Sequence, residues 1–220
     1  MTTEILTIDK GQCLTDVLPA IPANTIFDKT ITGCGATHSE IVNAARHSII
    51  IEPNIPVILG KKAEHPFLFA VYEGITKEDV KAYLAGEHDG YRKIITTPEG
   101  FDKKVLPAMH ELEIPVYKDY FLLFDECEKA IQDVGYRGDI YLPVEDFFKF
   151  ENKAMVSATP IVPSDPRFGE NGFKILKLVP TYDSRIELTL CTTNNTVAVM
   201  RKLLKRLENE TVCVFLNSTG

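Results

Sequence analysis

The sequence predicts an α/β protein built on a parallel sheet flanked by helices, and three observations predict it. Short apolar runs alternate with helix-like segments along most of the chain, as repeated βαβ units require. The runs at Ile49 to Ile51 and Phe121 to Phe124 are apolar without alternation, as expected of central strands covered on both faces. Finally, 220 residues of which 45% are hydrophobic are enough for a full core.

The expected strands lie in "NTIFDKTI", "HSIIIEP", "PFLFAVYEG", "RKIITTP", "DYFLLFDE" and "KAMVSATP". Between them, Thr76 opens "TKEDVKAYLAG", where a Thr cap, early acids and a closing Gly86 mark a helix. "FDKKVLPAMHELEIP" reads as a helix kinked or broken at Pro107. After Pro160, "IVPSDPRFGENG" is rich in Pro and Gly with no apolar period, so a first domain is expected over 1–162, with a linker from 163. Beyond it come strand-like "FKILKLVP" and "RIELTLCTT", a helix with Val197, Met200, Leu204 and Leu207 on one face, and the strand "TVCVFLNS". A fold of this type does not normally close on an isolated strand after a helix, so the chain reads as a piece of something longer.

Composition narrows the function. A net charge of −7 excludes a surface that is basic throughout, so any nucleic-acid contact must come from a local patch. Five scattered cysteines, never in C-x-x-C spacing, suggest neither a zinc site nor a disulfide framework and point to a reducing cytoplasm. No run approaches the roughly 20 apolar residues of a membrane span, so no membrane partner is expected.

Three stretches carry chemistry. "TGCGAT", Thr32 to Thr37, leaves a β-rich run and precedes a helix expected to open at Ser39, so the amides around Gly33, Cys34, Gly35, Ala36 and Thr37 would converge on an anion, with His38 in reach of phosphate. Ala36 stands where a Gly-x-Gly-Lys-Thr loop carries its lysine. Lys29 is the nearest cation in sequence; with Ile31 on the same side of the feeding strand, it would reach the phosphates from beneath the loop if that side faces the pocket, and would otherwise point outward and pair with a surface acid. Next, "FLLFDE" delivers Asp125 and Glu126 at the end of an apolar strand, suited to Mg²⁺ coordination by Asp125 with Thr37 and to polarisation of a water by Glu126. Last, Ser157, Ala158 and Thr159 end another strand, where hydroxyls could bond Glu126 and relay the state of a nucleotide. Each stretch also has an ordinary reading: a glycine turn, a solvated acidic turn, a strand leaving for a loop.

In this order the three resemble motifs I, II and III of superfamily 2 helicases, the group of the DEAD-box and DEAH-box proteins. "ITTPEG" resembles the motif that touches the nucleic-acid backbone through Thr97, Pro98 and Gly100, "IIIEPNI" resembles the strand and loop of motif Ia at Pro53, and "TVCVFLNST" resembles motif IV. The resemblance covers about residues 20 to 220. It implies a RecA-like P-loop domain over 1–162 and the start of a second RecA-like lobe over 163–220. It further implies ATP and Mg²⁺ as cofactors and a helicase or translocase that binds a single strand, weakly in this chain. Two positions depart: Ala36 replaces the loop lysine, and motif II reads Asp125-Glu126-Cys127-Glu128. Motifs V and VI have no counterpart, so an arginine finger would come from a second lobe or a partner. The alternative is a nucleotide-binding or scaffold module that keeps the fold without efficient turnover.

Overall fold

In the computed structural model, which describes residues 1–127, 144–159, 165–184 and 192–206, eight strands form one sheet in which every pairing is parallel. They are β1 (Thr3–Ile8), β2 (Thr25–Asp28), β3 (His47–Ile51), β4 (Phe69–Val71), β5 (Lys93–Thr96), β6 (Tyr120–Phe124), β7 (Asn152–Ser157) and β8 (Lys174–Pro180). Their spatial order is β1-β8-β2-β7-β6-β3-β5-β4. All six expected strand runs are strands. The two unalternating runs are central, and every residue of β6 is buried.

Strand periodicity sorts the side chains onto two faces. Ile50, Leu123, Ile95, Phe27 and Val156 pack with Leu14 of α1 (Leu14–Val17), Ile41 of α2 (Ala36–Ile41) and Ile58 of α3 (Ile55–Glu64). Their neighbours Ile49, Leu122, Ile94, Ile26 and Met155 pack on the other face with Val80 and Leu84 of α4 (Lys77–Ala85) and with Phe101, Val105 and Met109. Helix α4 begins as its sequence requires. The Thr76 hydroxyl accepts from the Asp79 amide at 3.1 Å, and the Asp79 carboxylate accepts from the Thr76 amide at 2.8 Å.

Pro107 does not break its helix. The chain runs from Pro98–Gly100 through a π-helical turn, Phe101–Val105, into Leu106–Glu111. The widened turn just before Pro107 absorbs a ring that cannot donate to the preceding turn.

The sheet also continues past residue 162. Although "IVPSDPRFGENG" has the texture of a domain edge, β8 follows it and inserts between β1 and β2, with Lys174 beside Thr25 and Ile175 beside Thr3. The compact unit therefore runs to Ser184. Residues 185–220 form a separate unit, in which the helix Thr196–Arg206 realises the expected amphipathic segment. Most of "RIELTLCTT" and all of "TVCVFLNST" lie outside the described residues. Among the described residues, no helix is long and apolar enough to cross a membrane.

At the strand starts a buried polar group stitches three elements together. Glu40 is fully buried and accepts from Arg46 Nε at 3.0 Å and from the Ser48 hydroxyl, while Lys93 Nζ donates to the Ser48 hydroxyl at 2.8 Å. Arg46 lies 3.4 Å over the Phe121 ring. A single carboxylate thus compensates two cations, Lys93 buried and Arg46 partly so. Glu40→Ala would leave both without an ionic partner, and a loss of about 3 to 5 kcal/mol is expected in urea denaturation. A loss under about 1 kcal/mol would show that the network is not needed.

Candidate functional site

In a parallel sheet all strand C-termini face one way, so whatever the strands deliver accumulates at one end. Here β2 delivers Lys29 and the glycine loop, β6 delivers Asp125 and Glu126, and β7 delivers Ser157 to Thr159. Strand β7 lies between the other two, so the loop strand and the acid strand are about 10 Å apart, two inter-strand spacings. Long or loop-borne side chains must close that gap.

They do so from the loop side. Lys29 Nζ donates to Asp125 Oδ1 at 3.2 Å and to Glu126 Oε1 at 2.9 Å, and the Thr37 hydroxyl donates to Asp125 Oδ2. Asp125 Oδ1 also accepts from the Glu126 amide at 2.9 Å. Burial by itself would lower the Lys29 ammonium, but the charges of Asp125 and Glu126 outweigh it and hold the group above its ordinary range. Glu126 adopts a left-handed backbone conformation, φ +50°, in which a side-chain-bearing residue is strained by about 1 to 3 kcal/mol. The strain is held where the two acids meet Lys29 and Thr37.

The loop depends on glycine at two points. Gly33 and Gly35 have φ of +73° and +86°, and Gly35 is the N-cap of α2. The helix opens at Ala36 and not at Ser39, so the loop is tighter than the sequence suggested. Its floor is tied to α1, where the Leu14 amide donates to the Cys34 carbonyl at 2.8 Å. Thr32 and Gly33 are exposed, whereas Ala36 is 4% exposed and packs in the apolar cluster that holds Leu14 and Cys34. Ala36, where a Gly-x-Gly-Lys-Thr loop carries its lysine, is thus buried among apolar side chains, and the ammonium in contact with the acids is that of Lys29.

Other expected residues have different surroundings. His38 pairs with His65, Nδ1 to Nε2, at 3.2 Å. The Ser157 hydroxyl directs its proton to the Thr159 carbonyl and accepts from the Thr159 amide at 3.0 Å, closing its own turn; Ala158 is half-buried and Thr159 exposed. Thr97, Pro98 and Gly100 reach the same sheet end but are buried, and the Gly100 amide is occupied as a helix cap by the Thr97 hydroxyl at 3.0 Å. Pro53 is half-exposed in the turn that leads into α3.

Sequence reasoning missed Glu52. It follows β3, beside Asp125, which follows β6, and is 1% exposed. Its Oε1 accepts from the Asn54 amide at 2.9 Å and from Asn54 Nδ2 at 2.7 Å. Burial, then the neighbouring Asp125 charge, pushes its carboxyl up to about 7. The only sequence signal is an acid closing an otherwise apolar strand.

Among the described residues no three His, Cys, Asp or Glu side chains are grouped to cage a metal. The oxygens of Thr37 and Asp125, already in contact, are what a Mg²⁺ ion needs when most of its ligands are phosphate oxygens and water. The loop amides, Lys29 and this oxygen pair are chemically suited to a magnesium-bound triphosphate.

Because the folded carboxyl of Glu52 titrates near 7 against an ordinary 4.5, its contribution to stability is full below pH 4.5 and is lost as pH rises through 7. Glu52→Gln removes that loss. At pH 8 the variant is expected to be more stable by about 3 kcal/mol, with the gap closing toward pH 4.5. Urea titrations at several pH values check this, and a gap independent of pH would contradict it.

Compared with protein-family models and with curated proteins, the chain finds no match in either.

Proposed function

We propose that the chain binds a magnesium nucleoside triphosphate at the end of its sheet and is the nucleotide-binding part of an ATP-driven helicase or translocase. The observation that carries the nucleotide reading is the set of contacts of Lys29 with Asp125 and Glu126 and of Thr37 with Asp125. A cation, a hydroxyl and two acids meet beside a loop whose glycines take left-handed backbone angles. Thr37 and Asp125 would hold Mg²⁺, which supplies charge neutralisation at the phosphates. Lys29 would exchange its carboxylate partners for a phosphate oxygen, and Glu126, released from Lys29, would orient the attacking water. The helicase part of the reading rests on the order of motifs, from Gly33 to Thr37 through Asp125 and Glu126 to Ser157 to Thr159.

A second reading is favoured by one observation. Lys29 is already engaged by two carboxylates, and losing both contacts opposes its transfer to phosphate. If that opposition dominates, the protein is a module that binds nucleotide weakly and turns it over poorly.

Calorimetric titration with Mg-ATP separates the readings. Lys29→Met keeps an apolar stem and removes the charge. A charge-assisted contact is worth about 1.5 to 3 kcal/mol, so affinity is expected to fall about tenfold or more. Ala36→Lys, forced into a buried apolar slot, should not restore binding to the Lys29→Met protein. Unchanged affinity in Lys29→Met, or rescue by Ala36→Lys, overturns the assignment of Lys29.

A further inference from the structure

The contact between His38 and His65 joins two helices through a pair of imidazoles. His38 lies in the first turn of α2, directly after Thr37, and His65 is the C-cap of α3. Hydrogen bonds fix both backbones. The His38 carbonyl accepts from the Val42 amide at 3.0 Å, the His65 amide donates to the Lys61 carbonyl at 2.9 Å, and the His65 carbonyl accepts from the Leu68 amide at 3.0 Å. The Phe67 ring meets the His65 ring edge to face, with centroids 5.7 Å apart, so the imidazole is also set from the side. Both histidines are half-buried.

His38 Nδ1 and His65 Nε2 are 3.2 Å apart. Two nitrogens bound to one Zn²⁺ at about 2.0 to 2.1 Å in tetrahedral geometry lie about 3.3 to 3.4 Å from one another. The pair therefore already stands at the separation of two ligands on one ion. A pivot of each ring, with no backbone movement, turns the two lone pairs from each other toward a shared cation. Among the described residues neither ring makes another hydrogen bond, so the outer nitrogens, His38 Nε2 and His65 Nδ1, can carry the protons. The proton balance closes without a co-reactant. In the metal-free pair one ring N–H lies between the two nitrogens; as the ion binds, that proton passes through water to the outer nitrogen of the same ring, and both rings stay neutral.

The surroundings suit a cation. The C-terminal end of α3 carries the negative end of its dipole, and Lys61, one turn before His65, is engaged by Glu64 at 2.9 Å. Ligand chemistry separates this place from the Thr37–Asp125 pair, since imidazole nitrogens select Zn²⁺ and its neighbours whereas hydroxyl and carboxylate oxygens select Mg²⁺.

We infer that His38 and His65 together bind one divalent ion of the Zn²⁺ class, which ties the end of α3 to the first turn of α2. Water completes its coordination. The site uses neither Lys29 nor the acids and does not depend on the nucleotide reading.

Calorimetric titration of the full, nucleotide-free chain with ZnCl₂ tests this. His38→Ala and His65→Ala are each expected to weaken binding at least tenfold, and the double variant to lose no more than the weaker single variant, because one ring alone no longer chelates. An excess of MgCl₂, and the exposed control His110→Ala, should leave the affinity within twofold of the parent. A parent that binds no Zn²⁺, a single variant within threefold of the parent, losses that add in the double variant, or displacement by Mg²⁺ overturns the shared site. Zinc-soaked crystals of the parent supply a reading that no variant's folding can disturb. An anomalous peak is expected about 2.0 to 2.1 Å from both His38 Nδ1 and His65 Nε2, and a peak elsewhere with none at the pair overturns the site.

Discussion

Lys29 sits where two requirements of this fold collide. A parallel sheet brings the ends of all its strands together, and two of those ends carry three acids, Asp125 and Glu126 after β6 and Glu52 after β3. One ammonium, reaching across from β2, contacts two of them at 3.2 and 2.9 Å. The Thr37 contact with Asp125 and the left-handed backbone of Glu126 lie at the same bridge. Removing one partner of such a buried pair typically costs more than the pair itself contributes, because the remaining charge has nowhere to go.

The bridge also explains why alanine is suitable at position 36. A lysine there would have to force its stem into the cluster of Leu14, Ile21 and Cys34, whereas a lysine on the strand below projects toward the acids along the natural alternation of β2. Position and chemistry are separated: the loop keeps glycines for its shape, and the charge is supplied from elsewhere. The same economy of placement holds at the strand starts, where Glu40 serves Arg46 and Lys93 together.

Much of this was legible in the sequence because it is local. The six strand runs, the Thr76 cap and the glycine loop follow from periodicity and from residue types with one strong preference. What was not legible is pairing over long distances and the fate of side chains in turns. Nothing in "FKILKLVP" says that it inserts between strands that begin at Thr3 and Thr25, since a strand carries no local mark of its neighbour. Thr97 to Gly100 matched a strand-contacting motif, yet Thr-Pro-x-Gly is equally a helix start, and the cap hydrogen bond takes the amide expected to face a phosphate. Ser157 likewise closes its own turn. Glu52 was overlooked because one acid after an isoleucine run has no pattern; only the sheet register sets it beside Asp125.

On the proposed reading, Lys29 is the phosphate-binding cation of this site, released from the acids when a nucleotide arrives. A crystal structure with Mg²⁺ and a non-hydrolysable ATP analogue tests it most directly. Lys29 Nζ is expected within hydrogen-bonding distance of a phosphate oxygen and away from Asp125, with Thr37 and Asp125 on the metal. A triphosphate bound in the glycine loop while Lys29 still holds both carboxylates would contradict it.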